Sequence, residues 1–216
     1  MGIKSAEAIL EAIQTHAKRW APLIRGPGLE RQLADEIEYF IVKELKLPKR
    51  SYKRLGDNVC VQLGKPGNVH IAVVAHLDAR LDQGAPLAVT AEGLSGAGAS
   101  DVLAPLTMMS LWLEQVHGKN YDFQVSMLWL AGEHLHFKDH GVEYVMQQLK
   151  HFESIDFALI VAPTNNQLAL GSLGSIDTSI HFEGSPSITA VPWQGRDAIQ
   201  MATPVLQTVA DWPSRM

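Results

Sequence analysis

His76, Asp78, Asp101, Glu133 and His134 have side chains suited to hydrolytic chemistry, and each lies where an apolar stretch stops. Ile71-Ala-Val-Val-Ala75 runs into His76-Leu77-Asp78, and Val125-Ser-Met-Leu-Trp-Leu-Ala131 runs into Gly132-Glu133-His134. Between them a glycine-rich turn over residues 93–100 delivers Asp101 to the head of an apolar helix. In an open α/β sheet the carboxyl ends of parallel strands form one rim, and ligands bind there. Imidazoles and carboxylates gathered on such a rim can hold a divalent metal and leave one carboxylate to move a proton of the attacking water. On this reading His76 is a metal ligand, and Asp78 turns back to fix its imidazole. Asp101 taken alone reads first as a helix N-cap. Its place beside the other rim residues makes it a ligand candidate. Glu133 and His134 are adjacent, so in a loop one can face the metal and the other the substrate water.

The elements that must position these residues follow from hydrophobic periodicity. Residues 5–20 predict an amphipathic helix capped by Ser5, and Gly26-Pro27-Gly28 breaks the chain after it. A second helix carries Leu29, Leu33, Ile37, Phe40 and Ile41 on one face and closes before Pro48. Strands are expected at residues 57–63 and 69–75 around the turn Gly64-Lys-Pro-Gly67, with a short one near 87–90. A helix over 101–116 places Leu103, Leu106, Met109 and Leu113 at helical spacing. Strand 123–131, helix 139–150 and strand 155–161 continue the alternation. The pattern predicts an α/β fold with a mostly parallel sheet between helix layers. Lys49-Arg50 with Lys53-Arg54 reads as a solvated loop, and Cys60 as a small core residue in an alternating strand. After Pro163 the expected elements are strands over 167–170 and 175–182 and a helix over 195–209. The expected organisation is a catalytic-type α/β domain over residues 1–171, without its C-terminal part, and a partial lid or dimerisation domain over 172–216.

Composition narrows the function classes. The chain has 216 residues, 46% of them hydrophobic and 19% charged, as in an ordinary globular protein. A net charge of −5 implies no basic surface for nucleic acid. No apolar stretch approaches the length of a membrane span, and the single cysteine suits a reducing cytoplasm. Gly93-Leu-Ser-Gly-Ala97 lacks the second glycine of a nucleophile elbow, and Gly96-Ala-Gly98 lacks the third glycine of a dinucleotide loop.

The run Ala75-His76-Leu77-Asp78, the turn Gly96-Ala-Gly-Ala-Ser-Asp101 with Pro105-Leu106, and Leu130-Ala-Gly-Glu133 resemble signature blocks of a known family. It is the zinc aminoacylase and carboxypeptidase family, which includes acetylornithine deacetylase and succinyl-diaminopimelate desuccinylase. Ala162-Pro-Thr-Asn165 and Gly171-Ser-Leu173 resemble its next blocks, and Gly184, Pro192, Gly195 and Asp197-Ala198-Ile199 follow the spacing of its lid motif. The resemblance implies a zinc exopeptidase-like fold. It also implies that His76, Asp101 and His134 bind metal, with Asp101 bridging two zincs. Asp78 would orient His76, and Glu133 would be the general base for amide hydrolysis.

The chain departs from the family pattern at several positions. The usual second glutamate is His134, which can still ligate through nitrogen. An acidic ligand is replaced by Ala162, and the lid histidine falls at Ile188. In the family a final histidine ligand comes from the catalytic domain's last segment, and the sequence stops at Met216 before any such segment. His136 and His140 lie nearby, but solvent-facing loop positions are expected for both, and His181 is expected on a lid strand. The implied cofactor is zinc, with cobalt or manganese as substitutes. The implied substrate is a small acylated amino acid or peptide. A homodimer or a completing second chain is the implied partner. The other reading is a catalytically inactive, shortened relative that serves as a binding or oligomerisation scaffold.

Overall fold

Alternating apolar side chains along the strands build a sheet whose central strands are buried on both faces. A computed structural model describes residues 6–67, 69–81, 84–135, 139–149, 153–171 and 178–211. The chain divides into two compact units, Met1–Leu168 and Ala169–Met216.

In the first unit helix α1 (Ala6–Trp20) and helix α2 (Arg31–Tyr39) precede a hairpin of β1 (Tyr52–Leu55) and β2 (Asn58–Gly64). Then come β3 (His70–His76), a small ribbon of β4 (Ala88–Val89) and β5 (Leu94–Ser95), and helix α3 (Ala104–Val116). Strand β6 (Gln124–Leu130), helix α4 (Gly141–Gln148) and strand β7 (Phe157–Ile160) complete it. The main sheet has the order β1-β2-β6-β3-β7. Strands β6, β3 and β7 are parallel, whereas β1 and β2 form an antiparallel margin. Strands β2 and β3 are therefore not neighbours, because β6 lies between them.

Side-chain period two divides the core. Val59, Val61, Val73, Ala75, Val125, Met127 and Trp129 face Trp20, Leu33, Ile37, Phe40, Leu106 and Leu113 of the helices α1, α2 and α3 and the turn after α2. Cys60, Ala72, Leu128 and Leu130 face Val145 of α4 and Leu149 on the other side. Cys60 is buried there, and desolvation pushes its thiol up to about 12, so it is inert. At one margin, Arg54 of β1 is not in a solvated loop. It pairs with Asp35 at 3.1 Å and Asp57 at 3.2 Å, because the hairpin turns its side chain toward α2. At the other margin β7 is apolar, with Phe157 73% and Ile160 70% exposed.

The apolar stripe of α2 differs from expectation. Leu29 is 65% exposed, whereas Glu30 is 2% exposed. The buried face runs Glu30, Leu33, Ala34, Ile37 and Ile41, which keeps helical spacing and places a carboxylate at its head.

In the second unit a single backbone bridge joins Ser185 and Arg196, and helix α5 (Ala198–Ala210) follows. Asp197 caps α5, its Oδ1 accepting from the amides of Ile199 at 2.8 Å and Gln200 at 3.3 Å. Residues 167–170 and 178–182 form no strand, because they find no ladder partner among the described residues. His181 is therefore exposed and not on a strand. Residues 175–177 lie outside the described residues.

Candidate metal centre

Parallel β3 and β6 end side by side, with His76 opposite Leu130. The Leu77 amide donates to the Leu130 carbonyl at 2.8 Å, so both chains leave the sheet together. Asp101 arrives by another route. Gly98 adopts a left-handed conformation, φ 81°, and starts a wide π-helical turn, Ala99–Leu103, that leads into α3. Asp101 lies inside that turn and caps nothing, since the cap position belongs to Gly98. The N-cap alternative is thereby corrected.

His76 is held from two sides. Its Nδ1 lies 2.9 Å from the backbone carbonyl of Asp78, which accepts the ring N–H. That bond leaves Nε2 as the free lone pair of the neutral ring, the tautomer a metal ligand requires. Nε2 lies 3.4 Å from Asp101 Oδ1. Burial disfavours the imidazolium, but the nearby Asp78 and Asp101 carboxylates outweigh it and raise His76 to about 9. A proton thus occupies the position that a cation would take.

The His134 ring stands edge-on to His76 at 5.5 Å between centroids and 81° between planes. Its Nε2 is buried and has no hydrogen-bond partner among the described residues. An orphaned imidazole nitrogen beside a His–Asp pair fits a cation. However, no group of three His, Cys, Asp or Glu side chains surrounds a common point among the described residues. His76 Nε2 and Asp101 Oδ1, 3.4 Å apart, are spaced as two ligands of one divalent ion would be.

The carboxylate of Asp78 has a different task from the one expected. It is fully buried, with Oδ1 accepting from the Glu133 amide at 3.0 Å and Oδ2 from the His134 amide at 2.9 Å. Its Oδ1 is 3.8 Å from His76 Nδ1, too far for a hydrogen bond. The imidazole is therefore fixed by the backbone of Asp78, while the side chain holds the loop carrying Glu133. Buried from solvent, the Asp78 carboxylate positions other groups and reaches no substrate. Burial opposes its ionised form, but the neighbouring His76 ring and hydrogen bonds from the two amides hold its acidity below the usual carboxylate range.

Two further side chains, which no motif in the sequence marks, hold this loop. Asn58 Oδ1 accepts from the Ala131 amide at 2.9 Å, and Glu30 Oε1 accepts from the Gly132 amide at 3.0 Å. Four successive amides, 131 to 134, each donate to a side-chain oxygen. The signal for Glu30 was present as an acid on the apolar stripe of α2. Gly132 has φ 75°, and a Cβ there would meet the Asp139 carbonyl at 2.9 Å, so this loop needs glycine. Glu133 leaves the loop with its side chain exposed.

The remaining candidates lie as follows. Extending the β3–β7 register from Val74 opposite Ile160 by two residues sets Ala162 opposite His76. The Val161 amide donates to the Val74 carbonyl at 2.8 Å, so the alignment persists to the residue before it. His140 turns its Nε2 to the Leu135 carbonyl at 2.8 Å. His136 lies outside the described residues. Ile188 is 69% exposed in the second unit.

The fold is α/β with a mostly parallel sheet, like that of the zinc exopeptidases, and the comparisons agree. No protein-family model matches the chain. The chain is 23% identical to the succinyl-diaminopimelate desuccinylase of Corynebacterium glutamicum over 186 residues, 85% of this chain and 50% of the relative. It is 24% identical to a peptidase M20 domain-containing protein of Schizosaccharomyces pombe over 152 residues, 67% of this chain and 35% of that protein. It therefore spans half or less of the length of these curated relatives. Among solved structures, a Staphylococcus aureus tripeptidase superposes with TM-score 0.54 at 16% identity, over 92% of this chain and 56% of that one. A dinuclear metal-binding peptidase of the M20 family from Bacillus subtilis gives TM-score 0.52 at 13% identity, over 72% and 43%. The Schizosaccharomyces pombe relative and the Bacillus subtilis structure carry the M20 peptidase name, and the Corynebacterium relative is a desuccinylase of the kind that the sequence motifs resemble.

Proposed function

We propose that this chain carries the rim of a metal-dependent amide hydrolase for N-acylated amino acids or small peptides. The observation that carries the reading is the His76–Asp101 pair, 3.4 Å apart, with the ring tautomer set by the Asp78 carbonyl. The orphaned Nε2 of His134 supports it. A divalent ion held by His76, Asp101 and His134, zinc in the first instance and cobalt or manganese as substitutes, would supply Lewis-acid polarisation of an amide carbonyl. The chain's own groups do the rest. Asp78 keeps the His76 ring oriented and Glu133 in place, and exposed Glu133 takes a proton from water and passes it to the departing amine. Asp101, held outside the cap position, contributes the anionic partner.

The partner in this reading is a second copy of the chain. Strand β7 is an apolar, uncharged, exposed edge, whereas β1 at the other edge carries Lys53 and Arg54. Residues 1–171 then act as the catalytic-type part and 172–216 as the partial lid, in a cytoplasmic protein. The alternative, an inactive scaffold, is favoured by one observation: no third ligand converges with His76 and Asp101 among the described residues.

The deciding experiment is turnover of acetylated and succinylated amino acids by the purified chain with added zinc or cobalt. The hydrolase reading expects turnover that Glu133→Ala abolishes without loss of metal. Absence of turnover in zinc-loaded protein favours the scaffold. Sedimentation as a monomer at high concentration removes the second copy.

A further inference from the structure

Glu30 is a buried carboxylate with no cation beside it. It is 2% exposed, and its Oε1 accepts from two amides, Gly28 and Gly132, both at 3.0 Å. No Lys, Arg or His forms an ion pair with it among the described residues. Burying a carboxylate on amide donors alone is expensive, and the fold could satisfy the same two amides with a neutral acceptor. The cost falls at one place, the glycine that precedes Glu133 and His134.

The segment holding Glu30 touches the other half of the site as well. The Arg25 carbonyl accepts from the Ala79 amide at 3.0 Å, one residue after Asp78. Residues 25 to 30 thus clasp the turn after β3 through Arg25 and the turn after β6 through Glu30. These two turns come from strands that are parallel neighbours, but among the described residues no ladder bond continues beyond Leu77 and Leu130 to keep them in step. Past the strand ends, the alignment of His76 with Glu133 and His134 depends on side-chain oxygens.

We propose that Glu30 is a positioning residue that sets the Gly132–Glu133–His134 turn against His76 and Asp101. It acts through the Gly132 amide and touches neither metal nor substrate. The chemical consequence rests on the hydrolase reading above, while the structural one does not. The Gly28 bond ties the same oxygen to the Gly26-Pro27-Gly28 break, so the clasp is anchored at both ends.

The test uses the full chain with Glu30→Ala and Glu30→Gln. Two quantities are read, amide hydrogen exchange by residue and zinc affinity by calorimetry. In Glu30→Ala, exchange at Gly132, Glu133 and His134 should accelerate by about 10-fold or more while Val125–Leu130 keeps its protection. Zinc affinity should fall by about 10- to 100-fold, the usual effect of removing a group that orients ligands. Glu30→Gln retains an acceptor oxygen and should recover most of both. Should Glu30→Ala fail to fold, Glu30→Met keeps the volume, removes the acceptor and carries the same expectations. Unchanged exchange at Gly132 overturns the proposal, as does acceleration spread evenly over β3 and β6. If the parent chain binds no zinc, the hydrolase reading falls and the exchange pattern alone still decides the role of Glu30.

Discussion

Replacing Asp78 by asparagine probes the node where both halves of the site meet. The carboxylate is fully buried and each oxygen accepts one amide, Glu133 at 3.0 Å and His134 at 2.9 Å. Asparagine keeps one oxygen and turns a second donor onto the other amide. A hydrogen bond to a charged acceptor contributes about 1.5–3 kcal/mol, and a stranded buried donor costs about 1–3 kcal/mol more. The expected loss is about 3–5 kcal/mol, a large share of the roughly 5–15 kcal/mol that holds an ordinary domain. The same change removes one of the two anions that raise His76 to about 9, so its ring should titrate closer to 6.5. Urea denaturation of metal-free protein gives the first quantity, and an NMR titration of the ring gives the second. A loss below about 1 kcal/mol, with His76 titrating as in the parent, would refute the assignment of Asp78 as the shared anchor.

Three other outcomes follow from the geometry. His76 has a folded-state pKa raised to about 9 from 6.5, so its stabilisation is complete below pH 6.5 and is lost as pH rises through 9. That loss is on the order of 3 kcal/mol in metal-free protein. Asp78, depressed below 3.8, adds stability above that value that disappears on acidification, and His16 and His70, lowered by burial, subtract stability below 6.5. Metal-free melting temperatures should therefore decline on both sides of a maximum near pH 6.5, and a plateau extending to pH 9 would contradict the His76 pairing. Ala162→Asp adds a carboxylate opposite His76 and should tighten zinc about 10-fold or more in calorimetry, whereas no change counts against the β7 alignment. Gly132→Ala forces a side chain into φ 75° against the Asp139 carbonyl and should cost about 1–3 kcal/mol in denaturant, with weaker zinc binding.

Period-two and helical patterning made most of the first unit legible, because strands buried on both faces and helices with one apolar stripe leave strong signals. The strand ends and the glycine-rich turn suggested that His76, Asp101 and His134 lie near one another, and the fold sets His76 3.4 Å from Asp101 and 5.5 Å, ring to ring, from His134. Strand order was not legible, since nothing local says that β6 inserts between β2 and β3. The exchange of roles at Asp78 was also hidden. A side chain two residues past a ligand reads as its partner, and only the fold shows the carboxylate reaching the amides of residues 133 and 134. Glu30 is hidden in the sequence because Leu29 next to it fits the apolar stripe, although Leu29 is exposed and Glu30 buried. Among the described residues, the strands expected after Pro163 do not form, because alternation in an isolated segment supplies no partner for its backbone.

Calorimetric titration of chelator-treated protein with zinc tests the central claim most directly, run beside His76→Ala and Asp101→Ala. The account predicts saturable binding to the parent, accompanied by proton release from His76, and loss of that binding in both variants. Equal binding to the parent and to His76→Ala, or no saturable binding to any of the three, would contradict it.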